Sequence, residues 1–162
     1  MAEPFNNAQQ AVDTTQVLRR FRVVYSAIRS HFQHLEKQVG LGGAQVWALS
    51  VVRDHPDIGV GGVAERLDIH QSTASNLVKA LLKRQLLRME RSTEDRRSVH
   101  LRIEPAGLAI LAKASRPLEG VLPQALAALP KPTLQRLDED LTTLIAILHA
   151  DEAAAGIPLA EL

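Results

Sequence analysis

The chain has 162 residues, of which 46% are hydrophobic and 23% charged, and it contains no cysteine. This length and apolar content suit one sizeable core or two small lobes and exclude a wholly disordered protein. The lack of cysteine excludes a disulfide scaffold, a thiolate metal site and a thiol redox switch within this polypeptide. Neither a signal peptide nor a membrane-length apolar run is evident, so we expect a soluble cytoplasmic protein without a membrane partner.

The formal net charge is only +1, but the charges are segregated along the chain. Residues 66–102 contain nine Lys or Arg against four Asp or Glu, whereas the rest of the chain contains ten against fourteen. A basic middle within a slightly acidic body is consistent with a localised anion-binding surface, and equally with a solvated charged face. Charge alone leaves both interpretations open.

The first element in chain order is a long amphipathic helix. Its apolar residues recur at steps that alternate three and four, the pattern of a heptad seam. Gly40 ends this helix, and a shorter helix over 43–53 places Trp47 on an apolar face. The seam consists of Leu18, Phe21, Tyr25, Ile28, Phe32, Leu35 and Val39.

The C-terminal part of the chain carries a second seam. The stretch 106–129 is helical in pattern, and Pro117 and Pro123 are expected to kink or divide it. Pro132 suits the first turn of a last helix, whereas the tail 151–162 lacks a convincing period and is expected to cap that helix or to fray. The second seam consists of Leu134, Leu137, Leu141, Leu144 and Leu148.

Two seams at opposite ends of the chain make a prediction about assembly. An apolar helix face needs a partner, so these arms must meet each other or a second copy of the chain. We expect a homodimer with an isologous interface built from the first and last helices, since twofold closure is the commonest solution. A monomeric helical bundle, with both seams in its core, is the alternative.

The middle of the chain contains two short helices joined by a tight turn, with the second helix beginning near residue 72. Its apolar residues, which include Leu77 and Leu81, fall at helical spacing and predict one buried face. The opposite face is polar, and no acidic residue occurs from Ile69 through Met89. Hydroxyl, amide and ammonium groups on such a face can contact phosphate oxygens or base edges in a major groove. The residues of this polar face are Ser72, Asn76, Lys79 and Lys83, flanked by Gln71, Thr73 and Ser75.

A two-stranded hairpin is predicted directly after this helix. Apolar and polar residues alternate over 87–91 and again over 98–103, with a charged tip between the two runs. A hairpin after a helix-turn-helix has the outline of a winged helix, whose tip lies beside the duplex when the second helix occupies the major groove. The tip residues Asp95, Arg96 and Arg97 therefore join the polar face of the helix as candidate DNA-binding residues.

The stretch from about Val46 to Leu111 resembles the MarR family of winged-helix transcriptional regulators. The residues that carry the resemblance are AERLDIHQSTASNLVKALLKRQLLRMERSTEDRRSVHLRIEPAGLAIL, in which Asp95 and Arg97 match the family's D-x-R pair and Gly107 its glycine after the wing. Asp68 in the turn and Glu104 before the next helix depart from the family's usual residues. The resemblance implies that Arg97 probes the minor groove and that Asp95 helps to shape the wing.

The same resemblance implies a mainly α fold with a small β-hairpin wing, divided into two lobes. Residues 43–103 would form the winged helix-turn-helix that binds DNA, and residues 1–42 and 104–162 the helical dimerisation lobe. The implied function is a regulator, in most cases a repressor, that binds a pseudo-palindromic double-stranded operator as a homodimer. A small aromatic or phenolic acid would release it. The candidate effector-binding residues are Tyr25, His31, Trp47 and Arg53, of which Tyr25 and Trp47 are equally interpretable as core.

Other functions have little support in the sequence. His31 and His34 are three residues apart on a helix, but two histidines are weak grounds for a metal site, and we expect neither a metal nor a cofactor. Ser72 and Ser75 have no plausible base, so we do not expect an enzyme. A winged-helix module that binds another protein without binding DNA remains the alternative function.

Overall fold

The computed structural model describes residues 13–91 and 99–161. Within those residues the chain forms a mainly helical fold with one two-stranded antiparallel hairpin, which confirms the predicted fold class. None of the described helices combines the length and the hydropathy that crossing a membrane requires. The elements are α1 (Thr14–Val39), α2 (Gly43–Asp54), α3 (Val60–Leu67), α4 (Gln71–Lys83), β1 (Leu87–Arg91), β2 (Val99–Ile103), α5 (Pro105–Lys113), α6 (Val121–Ala127) and α7 (Lys131–Leu148), followed by two short 3₁₀ helices, Glu152–Gly156 and Leu159–Glu161.

Helix α1 confirms the helix predicted from the first seam. Its N-cap Asp13 accepts a hydrogen bond of 3.3 Å from the Thr15 N–H, and Gly40 ends the helix in the left-handed conformation with φ 69°. The seam is buried only near its C-terminal end. Leu35 is fully buried, whereas the side chain of Phe21, nearer the start, is 46% exposed. Half of the helix therefore presents apolar residues that this chain does not cover.

The core is built around α2, which packs against α3, α4, α5 and β2. Leu49 on α2 is fully buried in this core. Gly107 lets α5 approach closely, because a Cβ atom there would lie 2.6 Å from the carbonyl oxygen of Leu86 and 3.2 Å from Leu49. The hairpin and α5 are thereby held against the same helix as α3 and α4.

The hairpin forms where the sequence predicts it, but its apolar residues are buried only toward its base, since Met89 and Val99 are 52% and 41% exposed. Leu87 pairs with Ile103 and Met89 with Leu101 across the antiparallel ladder, and Leu87 and Leu101 are both buried. The Leu101 N–H also donates to the carbonyl oxygen of Ile58, at 2.9 Å, which fixes β2 to the turn between α2 and α3.

The prediction for residues 106–129 is correct for one proline and wrong for the other. Pro117 lies between α5 and α6, where it separates the two helices as expected. Pro123 lies in the first turn of α6 and breaks nothing, because the N–H groups of a first turn have no partner within the helix.

The sequence predicts that the C-terminal tail (residues 151–161) either caps α7 or frays, and in the structure it does neither. After α7 the chain turns back, and the tail packs against α1 and α2. Pro158 is buried, and Ala160 packs against the core. Helix α7 itself has only marginal contact with the other described elements, and none of its residues is buried.

Candidate nucleic-acid interface and adjoining cavity

Helix α4 separates its apolar and polar residues onto opposite faces. Ala74, Leu77, Val78 and Leu81 are buried against the core. At 100° per residue, the four residues of the polar face lie within an arc of about 60°. Of the residues predicted to bind DNA on this helix, Thr73 and Ser75 are half-buried and the others are exposed, namely Gln71, Ser72, Asn76, Lys79 and Lys83.

The two lysines of the polar face carry charge that the protein does not neutralise within the described residues. Neither Lys79 nor Lys83 forms an ion pair there. The neighbouring Arg84 keeps its charge too, but its guanidinium is tied to the end of α1 by a 2.7 Å hydrogen bond that it donates to the carbonyl oxygen of Gly40. The positive charge of residues 66–102 is therefore not spread evenly over the surface. On the polar face of α4 it comes from Lys79 and Lys83.

The base of the hairpin is held by a set of exposed ion pairs. Arg88 contacts Glu90 at 2.7 Å and Glu104 at 3.1 Å, and Arg102 contacts Asp57 at 2.6 Å. The hydrogen bond from Arg88 lowers the pKa of the Glu90 carboxyl below its usual value. Exposed pairs of this kind add little stability, but they fix the orientation of the strands relative to the α2–α3 turn. They also engage both arginines with carboxylates of the same chain.

The tip of the hairpin lies outside the described residues. The predictions for Asp95, Arg96 and Arg97 therefore remain sequence-based.

A cavity of about 240 Å³ adjoins the winged-helix segment. Its walls come from α1, α2, the α3–α4 turn, the start of α6 and the C-terminal tail. The lining is mostly apolar, and the ionisable residues that line it, among those described, are Asp68 and Glu119. The apolar residues around it include Ile28, Phe32, Trp47, Leu67, Ile69, Val121, Leu122, Ile157 and Leu159.

The structure does not bring the four candidate effector residues together. Trp47 lines the cavity, and Tyr25 lines an adjoining groove that also contains Arg29. His31 lies elsewhere, with its ring Nε2 2.9 Å from the carbonyl oxygen of Pro117.

Arg53 is also outside the cavity. Its Nε donates to the carboxylate of Asp54 at 2.7 Å, and this hydrogen bond lowers the pKa of Asp54. The cation expected for an acidic effector is thus paired within its own helix. Arg29, on the groove that adjoins the cavity, was not singled out by the sequence.

Two further parts of the cavity wall were not recognised as such from the sequence. Phe32 belongs to the first seam, so its apolar character was visible but its exposure to a cavity was not. The tail residues Ile157 and Leu159 have no periodic pattern that predicts docking. Among the described residues, no group of three or more His, Asp or Glu side chains could hold a metal ion.

A family model described as MarR family matches residues 39–98. The matched segment begins at the end of α1, spans α2, α3, α4 and β1, and includes the positions of Asp95 and Arg97. Over those residues the chain is similar to the MarR family. The resemblance predicted from the sequence is thereby confirmed, while no curated protein matches the chain significantly.

Several solved structures have the same fold as this chain. The Staphylococcus aureus MepR–DNA complex aligns with a TM-score of 0.56 at 15% identity, over 84% of this chain and 96% of MepR. Streptococcus pneumoniae FabT in complex with DNA gives 0.55 at 17% identity, over 85% and 98%. The transcriptional regulator BldR from Sulfolobus solfataricus gives 0.53 at 22% identity, over 82% and 94%. These alignments extend beyond residues 39–98 and cover most of the chain.

Proposed function

We propose that this protein is a transcriptional regulator that binds double-stranded DNA as a homodimer. The observation that carries the proposal is the exposed polar face of α4, which lacks acidic residues and lies within residues 39–98, the segment that the MarR family model matches. A purely solvated helix face more often combines Glu with Lys in i, i+4 pairs. MepR and FabT, which have this fold, form the DNA complexes named above.

The homodimer is proposed from the apolar helix faces that the chain leaves uncovered. On α7, Leu134, Leu141 and Ile145 are each between 37% and 39% exposed, at helical spacing. On α1, Leu18 and Phe21 are exposed in the same way. Both faces belong to the ends of the chain, so a second copy related by a twofold axis provides a matching surface for each. Such a dimer presents two copies of the polar face to one side of a duplex.

We assign the regulator the role of a repressor that a small molecule releases from its operator. Support for this role comes from the cavity, which lies between α1 and the α3–α4 turn and so adjoins the start of α4.

DNA binding is tested by its dependence on salt. A duplex selected by the protein from a random-sequence pool should bind, with affinity falling by about 10³-fold or more between 50 and 200 mM salt, the magnitude for roughly six to ten phosphate contacts. The measurement is fluorescence anisotropy of the labelled duplex, with a scrambled duplex of the same length as the control. Absent binding, or binding that salt does not weaken, would instead favour a module that binds another protein.

The charges around the cavity refine the chemistry of the proposed effector. Asp68 and Glu119 place negative charge on the lining, and Arg29 lies on the adjoining groove, outside the lining itself. An anion therefore meets repulsion at the cavity, whereas a neutral or cationic aromatic molecule does not. We propose an aromatic effector that is neutral or cationic, in place of the aromatic acid expected from the sequence.

Three naphthalene derivatives with the same ring system separate these alternatives. We expect 2-naphthylmethylamine, which is cationic at neutral pH, and 2-naphthol to quench the fluorescence of Trp47 at lower concentration than 2-naphthoate. Trp47 is the only tryptophan of the chain, so the readout is local. Glu119→Gln should reduce the preference for the amine, whereas Arg29→Gln is the control that should leave it unchanged. If 2-naphthoate bound more tightly than the other two compounds, and Arg29→Gln abolished that preference, the effector would instead be an aromatic acid.

A further inference from the structure

The C-terminal tail is hydrogen-bonded to the residue that precedes α4. His70 is the N-cap of that helix, and its backbone N–H donates to the carbonyl oxygen of Gly156 at 3.0 Å. Its ring Nε2 lies 2.8 Å from the carbonyl oxygen of Ala153, a distance at which the ring N–H donates a second hydrogen bond. These contacts join residues more than eighty positions apart in the sequence.

The approach of the His70 ring explains why residue 156 is glycine. A Cβ atom at Gly156 would overlap three atoms of that ring. The backbone of Gly156 is not in the left-handed region, so alanine is opposed there by the ring, which would have to move, and not by its own conformation. This position therefore offers a substitution directed at the contact between tail and helix.

The same tail forms one wall of the cavity. Ile157, Pro158 and Leu159 follow Gly156 directly and line the cavity, and the opposite wall includes Leu67 and Ile69 of the α3–α4 turn. The walls from α1 and α2 carry fully buried core residues, whereas the tail is attached through the buried Pro158, the half-buried Ala160 and its hydrogen bonds to His70. The tail is thus a wall that moves at lower cost than those two helices.

We propose that the C-terminal tail is a latch that couples the occupancy of the cavity to the position of α4. With the tail docked, His70 is held and the cavity stays near its present volume of about 240 Å³. Drug-sized ligands occupy pockets of about 300–1,000 Å³, so such a ligand displaces the tail and frees His70. The effect on DNA binding rests on the proposed function of α4, but the coupling of cavity and tail does not.

Thermodynamic linkage makes the coupling measurable without DNA. For a ligand that binds only when the tail is undocked, the apparent affinity is the intrinsic affinity multiplied by the fraction of molecules in which the tail is undocked. A substitution that undocks the tail must therefore tighten ligand binding, and the ligand must in turn undock the tail. Both effects should appear in the same protein.

The test uses Gly156→Ala in the full chain with Nile red, a neutral dye of drug-like size. We expect the variant to bind the dye about fivefold more tightly or better, within the usual range of coupling between sites. Hydrogen exchange followed by NMR should be faster at the His70 amide in the variant, and also in the unsubstituted protein when dye is added. Gly42→Ala is the matched control, because a Cβ atom there meets nothing within 4 Å.

A second variant keeps the outcome decisive. His70→Ala removes the ring that Gly156→Ala would strike, so in that background Gly156→Ala should change dye affinity by less than about twofold. Equal dye affinity in the unsubstituted protein and Gly156→Ala would overturn the latch, as would absence of dye binding to either. Loss of DNA binding with the dye results intact would overturn the proposed function and leave the latch standing.

Discussion

Leu141→Asp is expected to convert the protein to a monomer and to lower its affinity for the selected duplex by about 10²-fold or more. Leu141 lies in the second seam and is 37% exposed in the isolated chain. A carboxylate there would have to be buried against the apolar face of a second copy, which carries a large desolvation cost. The loss of DNA affinity follows because two linked reading heads bind far more tightly than one.

Sedimentation velocity at micromolar protein and anisotropy of the labelled duplex measure the two effects. Thr143→Asp adds the same charge on α7, about 140° around the helix from the centre of the seam, and should remain dimeric. Circular dichroism checks that the monomer keeps its helices, since Leu141 contributes no buried core contact in this chain. A dimeric Leu141→Asp variant, or a monomeric unsubstituted protein, would contradict the proposed interface.

Those parts of the fold that local patterns encode were predictable. The seam predicts α1, and the change from a helical to an alternating pattern after α4 predicts β1 and β2 close to their observed bounds. The polar and apolar faces of α4 were also separable, because Val78 and Asn76 lie about 160° apart around the helix. In these elements the periodicity of neighbouring residues in the sequence is enough to predict which side chains are buried.

The features that were missed depend on contacts between distant residues. His70 meets Ala153 and Gly156 because the chain returns to the core after α7, and no local period encodes that return. The tail is built of 3₁₀ turns, which are too short to show an amphipathic repeat. The ion pair between Arg102 and Asp57 was hidden for the same reason, whereas Arg53 pairs with Asp54, its neighbour in the sequence.

Whether a cationic side chain already contacts a group of its own chain affects what it can contribute to DNA binding. The sequence assigns the basic excess to one segment, but within the described residues Arg84, Arg88 and Arg102 bind groups of their own chain. Lys79 and Lys83 do not pair there, and they lie on the polar face together with Asn76. The electrostatic contribution of α4 to DNA binding is therefore expected to come from these lysines.

Lys79→Ala and Asn76→Ala should weaken DNA binding in different ways. Lys79→Ala removes a phosphate contact, so affinity should fall for every duplex and the salt slope should decrease by about one for each copy in the dimer. Asn76→Ala removes an amide that can pair with adenine in the major groove, so it should cost about 1–3 kcal/mol per contacted base and relax the preference at that base. Anisotropy across a salt series, with the selected duplex and single-base variants of it, distinguishes the two.

Lys113→Ala provides the matched control, because it removes the same charge from an exposed position on α5, outside the polar face. It should leave the salt slope unchanged, and all three variants should unfold within about 0.5 kcal/mol of the unsubstituted protein, as surface substitutions usually do. If Lys79→Ala and Lys113→Ala lowered affinity equally, the attraction would come from the net charge of the protein and not from α4. If Asn76→Ala left base preference intact, α4 would contact the backbone of the duplex without reading its sequence.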